Sequence, residues 1–340
     1  MYYSGADGLA APFTRGAGVI FMLHRVSPEP PASFEPNRIL KVTPEFIEQV
    51  IVHVIEAGFD ILKLDEVPAR LSQPTSRPFA CFTFDDGYRD NLEVAYPVFR
   101  RLGVPFTVYI PTDYADGQGD LWWLMLEKVI ASSDQRVSVE IAGNQHSHAC
   151  HTPAEKDAAF EEIYWHLRRL PEQDARAIVA RLAEAHGFTA GALCSELMMD
   201  WDAIRELARD PLVTIAAHTR SHLALAKLDE ADVRREMSES IARIEAELGR
   251  PCRHFSYPYG CVASAGQREF AIARELGVAT AVTTRKGLLY PAHADQLTAL
   301  PRLSLNGDFQ DLRYLKVMLS GMPFALWNAV TRETADIAEA

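Results

Sequence analysis

The stretch that decides the fold is Phe82-Thr83-Phe84-Asp85-Asp86-Gly87-Tyr88-Arg89-Asp90-Asn91. An apolar and β-branched run from Phe79 to Phe84 predicts a short buried strand, which stops at two adjacent aspartates followed by a glycine. In α/β folds the catalytic and ligand-binding residues lie at the carboxyl ends of the strands. Two adjacent buried carboxylates repel each other unless a cation or hydrogen bonds compensate for their charge. Two interpretations are open here: a catalytic pair, or an Asp-Gly turn in which Asp86 caps a helix.

The composition is that of an acidic globular protein. The chain has 340 residues, of which 48% are hydrophobic and 24% charged, so a sizeable core can form. Its net charge of -12, from 34 basic and 46 acidic residues, argues against nucleic acid or an anionic membrane surface as the main partner. The length suits one large barrel-type domain or two smaller domains.

Cysteine usage and the N-terminal sequence bear on the cellular setting. The five cysteines are an odd number without C-x-x-C spacing, which favours reduced thiols over a disulfide framework. Residues 1–18 lack a basic region followed by an apolar one, so no secretory signal is visible, and no apolar run approaches the length of a membrane span. Taking the chain as complete, we expect a cytoplasmic protein without a transmembrane segment.

Predicted strands alternate with helices along much of the chain. Thr43 and Pro44 are typical of a helix start, and apolar residues at helical spacing follow as far as Gly58. A second amphipathic helix is predicted from Asp229 to Leu248. The segments that resemble strands are residues 19–23, 79–84, 104–110, 212–217, 253–257, 278–283 and 297–305. This order predicts an α/β fold with a parallel sheet or barrel.

The alternation is interrupted between about residues 111 and 209. This part is predicted to be a mostly helical insertion with one possible strand at 136–141, because no linker-like tract marks its edges. A polar cluster in it could bind a metal, but no strand end fixes its geometry, so we expect a solvated loop. The members of this cluster are His146, His148, Cys150 and His151. A helical extension at about 308–335 completes a single domain over residues 1–340.

Three predicted strand ends carry polar groups: Asp85-Asp86, the pair His218 and His222, and Pro258-Tyr259-Gly260. In a parallel barrel the carboxyl ends of all strands open on one face, so these groups can meet. Histidines at i and i+4 of a helical turn can direct both rings at one ion. One carboxylate then completes a two-histidine, one-carboxylate metal site, and the other aspartate remains free as a base.

These motifs resemble those of the polysaccharide deacetylase family, also called the NodB-homology domain or carbohydrate esterase family four. The resemblance rests on Thr83-Phe84-Asp85-Asp86-Gly87, on His218-Thr219-Arg220-Ser221-His222 and, more loosely, on Tyr257-Pro258-Tyr259-Gly260. It covers about residues 19–110 and 205–305 and leaves the helical insertion outside. It implies a distorted (β/α) barrel that hydrolyses N-acetyl groups of sugars with a divalent metal, commonly zinc.

The resemblance also implies roles for individual residues. Asp85 matches the family's general base. Tyr259 matches the residue whose backbone amide binds the developing oxyanion, with the metal as the second stabiliser. Pro258, which precedes it, is expected to take part in binding the substrate. The residues that match the family's metal ligands are Asp86, His218 and His222.

Two residues that the family usually carries are absent. An arginine usually precedes the Pro-Tyr pair, where this chain has Ser256, and a histidine usually follows a leucine in the last motif, where residues 300–305 contain none. We expect Arg302 to hold Asp85 ionised; the alternative is a purely structural arginine. We expect His24, at the end of the first strand, to be the general acid. This arrangement resembles that of the poly-N-acetylglucosamine deacetylases, in which the order of the motifs is permuted and an N-terminal histidine faces the site. The alternative is that His24 is an ordinary core or loop histidine. The other candidate acids are His254 and His293.

The predicted activity is metal-dependent removal of N-acetyl groups from an N-acetylated sugar, polysaccharide or glycan precursor. Zinc is expected, and cobalt, nickel and manganese are compatible. Two rivals are an amide hydrolase with a non-sugar substrate and a metal- or carbohydrate-binding module without catalysis. A non-haem iron oxygenase is disfavoured, because its jelly-roll barrel lacks alternating helices.

The insertion is predicted to shape substrate choice or an oligomer contact. Trp122 and Trp123 could stack on a sugar ring, but we expect them to anchor the insertion. The oligomeric state is left open.

Overall fold

The structure is a computed structural model that describes residues 11, 13–73 and 77–331. Its strands are β1 (Gly18–Leu23), β2 (Arg25–Val26), β3 (Lys41–Val42), β4 (Asp60–Ile61), β5 (Phe79–Phe84), β6 (Phe106–Ile110), β7 (Arg136–Ile141), β8 (Asn144–Ala149), β9 (Val213–Ala217), β10 (His254–Ser256), β11 (Thr280–Lys286) and β12 (Leu300–Ser304). Its α-helices are α1 (Pro44–Glu56), α2 (Val67–Ser72), α3 (Tyr96–Leu102), α4 (Thr112–Ala115), α5 (Trp122–Ser132), α6 (Pro153–Leu167), α7 (Glu172–Ala185), α8 (Ala192–Leu197), α9 (Trp201–Leu207), α10 (Glu230–Leu248), α11 (Gln267–Glu275), α12 (Leu312–Leu319) and α13 (Met322–Thr331).

Seven parallel strands close into a barrel in the order β1, β12, β11, β10, β9, β6, β5 and back to β1. The closing pair is β1 and β5, which align from Gly18 opposite Phe79 to Leu23 opposite Phe84. The ring is irregular, because the register shifts between β11 and β12 and a single residue pair joins β9 to β10. The predicted distorted (β/α) barrel is therefore confirmed.

The strands form because both of their faces are buried, as is typical of parallel sheets covered by helices. Side chains alternate along each strand. Phe21 and Phe82 point away from the barrel axis and belong to an outer hydrophobic cluster, which also contains the apolar sides of the surrounding helices. Ile20, Cys81 and Tyr109 belong to a separate inner cluster. The inner cluster fills the barrel, so only the ends of the strands are available for a site.

The chain leaves the barrel after β6 and returns to it at β9, and the segment between them has its own hydrophobic core. Trp122 and Trp123 are buried in that core, as expected for anchoring residues. The segment also contains the antiparallel hairpin β7–β8. The solvated loop predicted for His146 and His148 is wrong, because both residues lie on β8.

The hairpin forms because its connection is a two-residue turn. Ala142 and Gly143 both have positive φ, 51° and 78°, which suits the right-handed twist of the flanking strands. The polar sequence of β8 conceals the strand, since its residues show no apolar alternation.

The C-terminal helices α12 and α13 follow the last barrel strand. Leu315 and Leu319 of α12 pack into the outer cluster of the barrel. Of the predicted extension at 308–335, residues 332–335 lie outside the described part of the chain. Among the described residues, no helix has the length and apolar character needed to cross a membrane.

Candidate active site

A pocket of about 180 Å³ opens at the carboxyl ends of the barrel strands. The lining residues that the sequence predicts are His24, Asp85, Asp86, His218, His222 and Tyr259. The other lining residues are Asn37, Ile39, Leu40, Trp123, Tyr164 and Thr284. The structure thus brings together side chains that follow β1, β5, β9 and β10.

Asp86, His218 and His222 form a buried triad whose ligand atoms all lie within 4.8 Å of one another. Oδ1 of Asp86 is 3.4 Å from Nε2 of His218 and 3.3 Å from Nε2 of His222. Two imidazoles and one carboxylate suit zinc and similar first-row cations.

The tautomer of His218 supports a cation at this position. Its Nδ1 lies 2.6 Å from the carbonyl oxygen of Ser256 and must carry a proton, because a carbonyl only accepts. In the neutral ring, Nε2 then directs a lone pair at the carboxylate of Asp86. Nε2 of His218 and the carboxylate of Asp86 are then two hydrogen-bond acceptors that face each other, and they repel unless a positive charge lies between them. The triad therefore fits a divalent ion.

The segment that carries both histidines is a loop. The expected helical turn from His218 to His222 is wrong, because Thr219 and His222 adopt left-handed backbone conformations with φ of 62° and 57°. The hydroxyl of Thr219 accepts the N–H of His222 at 2.9 Å, and its carbonyl accepts the N–H of Thr112 at 3.2 Å. These hydrogen bonds, rather than a helical repeat, direct both rings at Asp86.

Left-handed backbone is concentrated at this pocket. Asp86 and Tyr259 also have positive φ, 72° and 59°. Among the described residues, four of the five non-glycine residues with positive φ are Asp86, Thr219, His222 and Tyr259. Such conformations cost free energy and persist where surrounding structure enforces them, typically at functional sites.

Asp85 forms a bidentate ion pair with Arg302 beneath the triad. The Nη1 and Nη2 atoms of Arg302 donate to Oδ1 and Oδ2 of Asp85 at 2.8 and 2.6 Å. Both residues are buried, with 2% and 1% of their surfaces exposed. The structure therefore places Arg302 where the sequence predicts it, against Asp85; its role in catalysis stays a prediction.

The remaining donors of Arg302 are also used inside the barrel. Its guanidinium donates to the carbonyl oxygen of Thr283 at 2.9 Å and to the hydroxyls of Thr83 and Ser256, both at 3.1 Å. Ser256 occupies the place where the resemblance led us to expect an arginine. Its small side chain leaves room for the guanidinium that enters from β12, and this contact was not predicted.

The surroundings of Asp85 favour its ionised form. Burial acts to raise the pKa of Asp85, but the charge and hydrogen bonds of Arg302 outweigh burial and hold this pKa below the usual aspartate range. Asp85 is therefore a carboxylate at neutral pH.

His24 reaches the same carboxylate from β1. Its Nε2 is 4.0 Å from Oδ2 of Asp85, and its side chain is 19% exposed. The alternative acids His254 and His293 do not line the pocket. His254 contacts Thr280 and Asp65, and His293 contacts Tyr290. Of the three candidates, the structure brings only His24 to the site.

Tyr259 forms the side of the pocket opposite β5. No hydrogen bond joins its backbone N–H to another described residue, so this donor is available. Thr284 fixes the turn by donating its hydroxyl to the carbonyl of Tyr259 at 2.6 Å. Pro258 is buried before the turn and does not line the pocket, so direct contact of Pro258 with substrate is not supported.

The sequence profile of the polysaccharide deacetylase family matches residues 72–281, which is more than half of the chain. The chain belongs to this family.

Solved polysaccharide deacetylases and related enzymes have the same fold as this family member. A Streptococcus pyogenes deacetylase, PplD, in complex with acetate is 17% identical with a TM-score of 0.56, and the alignment covers 88% of this chain and 97% of that one. IcaB from Ammonifex degensii is 17% identical with a TM-score of 0.55 and coverages of 90% and 97%. A de-N-acetylase from Aggregatibacter actinomycetemcomitans is 14% identical with a TM-score of 0.55 and coverages of 88% and 99%. At these identities the likeness shows the fold alone. A comparison with curated protein sequences gave no match.

In this polysaccharide deacetylase family member, the insertion supplies part of the site. Trp123 and Tyr164 line the pocket. Arg168 stacks on the ring of Tyr259 at 3.6 Å, and Trp122 donates its indole N–H to the Tyr259 hydroxyl at 3.1 Å. Burial raises the pKa of Tyr259, so its hydroxyl stays protonated.

The insertion also supports the histidine loop. Nη2 of Arg176 on α7 donates to the carbonyls of Ser221 and His222 at 2.8 and 3.2 Å. Sequence analysis predicted that the insertion shapes substrate choice or an oligomer contact, but it named neither Arg168 nor Arg176. No spacing rule connects an arginine on a distant helix with a particular loop carbonyl.

Proposed function

We propose that this protein is a metal-dependent hydrolase that removes N-acetyl groups from an N-acetylated sugar polymer. The observation that carries the proposal is the combination, in one pocket, of a divalent-metal triad with a carboxylate that a buried arginine keeps ionised. The triad of Asp86, His218 and His222 would hold the ion. Zinc, cobalt, nickel and manganese all suit these ligands.

When bound, the divalent ion would act as a Lewis acid that polarises the acetamide carbonyl and makes water more acidic. Asp85 would accept a proton from the attacking water, a role that is supported by the ion pair with Arg302, which fixes the orientation of Asp85 and keeps it deprotonated. Water adds to the carbonyl carbon, and the bond between this carbon and the sugar nitrogen breaks. His24, beside Asp85, would then protonate the departing amine, and acetate is released.

The backbone N–H of Tyr259 would donate to the negative oxygen that develops on the acetamide carbonyl. This role suits an amide that has no other acceptor among the described residues and that a left-handed turn holds in place. The ring contacts of Tyr259 with Arg168 and Trp122 restrain the turn from the insertion side.

The small size of the pocket suits a substrate of which only one chemical group enters the pocket. At about 180 Å³ it is smaller than the roughly 300–1,000 Å³ of common ligand clefts. It therefore suits an acetamido group with part of one ring, while the rest of a polymer lies outside. The Streptococcus relative was solved with acetate, which is the product that this proposal predicts.

Acetate release from N-acetylglucosamine oligomers tests the proposed activity. We expect the protein with Zn²⁺ or Co²⁺ bound at the triad to release acetate, and removal of this ion by a chelator to lower the rate at least about 100-fold, since the Lewis acid is lost. Adding the ion back should restore the rate. The matched control is Asp86→Asn, which should bind the ion weakly and gain nothing from added metal. No acetate from any N-acetyl sugar, despite a bound ion, would favour a non-sugar amide hydrolase or a non-catalytic binding module.

His24→Ala tests the assignment of the general acid. We expect kcat to fall about 10²- to 10⁴-fold, the usual contribution of acid–base catalysis, while metal content stays the same because His24 is not in the triad. The measurement is kcat together with metal content by elemental analysis. The control is His53→Ala on α1, outside the pocket, which should leave kcat unchanged. Near-normal turnover of His24→Ala removes this residue from the mechanism.

A further inference from the structure

A second group of histidines lies on the insertion, away from the pocket. His146 and His148 of β8 pair with Val139 and Val137 of β7. Because paired residues in an antiparallel hairpin point to the same face, both histidines share the side of those buried valines. That side packs against helix α6, which crosses β8.

Helix α6 presents two matching groups to β8. Glu162 and His166 are four residues apart and therefore lie on one side of the helix. The ligand atoms of His146, Glu162 and His166 all lie within 4.8 Å of one another, and the rings of His146 and His166 are 5.1 Å apart. Nδ1 of His148 is 3.5 Å from Oε2 of Glu162.

The two imidazoles of this cluster, unlike its carboxylate, have no hydrogen-bond partner that would explain their arrangement. Among the residues that the structure describes, neither His146 nor His166 makes a hydrogen bond through its ring. Arg136, a cation on the same hairpin, donates to Ser147 on the opposite face. The cluster therefore offers unengaged imidazoles and one carboxylate, a ligand set that favours Zn²⁺, Ni²⁺ or Cu²⁺ over Mg²⁺ or Ca²⁺.

We propose that His146, Glu162 and His166 form a second metal site that binds a first-row divalent cation and ties β8 to α6. His148 lies beside the same carboxylate and orients it. His146 and His166 are half-buried and Glu162 is exposed, so an ion can enter from solvent without movement of the core. Cys150 and His151 are not members of the site.

The location of this site gives it a structural role in the insertion. Tyr164 lies between Glu162 and His166 in sequence and on the opposite side of α6. It stacks on Trp122 with ring centroids 5.2 Å apart and lines the catalytic pocket. A metal ion on the outer side of α6 would therefore restrain the helix that carries part of the pocket wall.

Metal counting in a protein without the catalytic triad tests the site independently of the proposed activity. In the His218→Ala/His222→Ala variant, we expect equilibrium dialysis against Ni²⁺ or Zn²⁺ to leave one ion per chain and the ion to raise the melting temperature. Adding His146→Ala and His166→Ala should abolish both effects. If the triad variant binds no ion, or if the fourfold variant still binds one, the proposal is overturned.

Two further variants separate this result from misfolding and from failure of the catalytic site. His186→Ala, another histidine of the insertion, should leave the ion count of the triad variant at one. His146→Ala/His166→Ala with an intact triad should bind one ion, whereas the unaltered protein binds two. Circular dichroism of the metal-free His218→Ala/His222→Ala variant should not change when His146→Ala/His166→Ala or His186→Ala is added, because those three side chains lie at least partly at the surface. An unaltered protein with one ion, and loss of that ion from the triad variant, also overturns the second site.

Discussion

Replacing Asp85 with asparagine is expected to lower kcat by about 10²- to 10⁴-fold while the catalytic metal stays bound. The physical reason is that asparagine keeps the shape of the side chain and a hydrogen-bond acceptor for Arg302 but cannot take up a proton. Asp85 is not in the triad, so metal affinity should change little. The measurement is acetate release at saturating substrate together with metal content.

Asp86→Asn provides the matched control, because it makes the same chemical change one residue away. Here we expect metal loss together with loss of activity, since Asp86 supplies the carboxylate of the triad. If Asp85→Asn loses the metal and Asp86→Asn keeps it, the two aspartates have exchanged roles. Substantial turnover of Asp85→Asn would contradict its assignment as the base.

Replacing Arg302 with methionine is expected to lower the free energy of unfolding by about 3–5 kcal/mol. Removal of one partner leaves the carboxylate of Asp85 buried without its counter-charge, and three further acceptors lose their donor. Urea unfolding of the metal-free protein at neutral pH measures this loss. The exposed Arg235 is the control, and Arg235→Met should change stability by less than about 0.5 kcal/mol.

The pH dependence of the Arg302→Met variant distinguishes an electrostatic role from packing alone. With Arg302 present, the pKa of Asp85 lies below its usual range, so the pair contributes stability at neutral pH that is lost as the pH falls through the acidic range. Without Arg302, burial raises this pKa, and the acidic limb of the activity profile should move to higher pH. The double variant Asp85→Asn/Arg302→Met should lose less unfolding free energy than the sum of the losses in the two single variants, because neither buried charge is then left without its partner. Equal stability of Arg302→Met and the unaltered protein would contradict the importance of the pair.

The sequence predicts best those features that depend on local pattern and on the common direction of parallel strands. The apolar run before Asp85 gives β5 its observed bounds, Phe79–Phe84. The convergence of Asp86 with His218 and His222 follows from strand ends that share one face of a barrel. Arg302 could also be expected at the site, because it lies on the last strand and alternation directs it into the barrel.

Features that depend on irregular backbone or on tertiary placement could not be predicted. The loop from His218 to His222 takes its shape from left-handed residues, which ordinary residue types such as threonine do not signal. Strand β8 is polar because one of its faces carries His146 and His148 toward α6 and the other is exposed to solvent. The contacts of Arg168 and Arg176 depend on how the insertion packs on the barrel, and helical periodicity does not contain this information.

The left-handed residues of the pocket place stability and activity in conflict. Each such non-glycine conformation costs about 1–3 kcal/mol, and four of them lie in a few loops around the proposed ion site. Selection for heat resistance alone would favour relaxed backbone at Asp86, Thr219, His222 and Tyr259, and relaxation would disperse the ligands and turn the Tyr259 amide away. The barrel and the insertion must therefore be more stable than their own folding requires. Variants that gain stability in those two cores should tolerate further change at the pocket, whereas variants stabilised within the pocket loops should lose function.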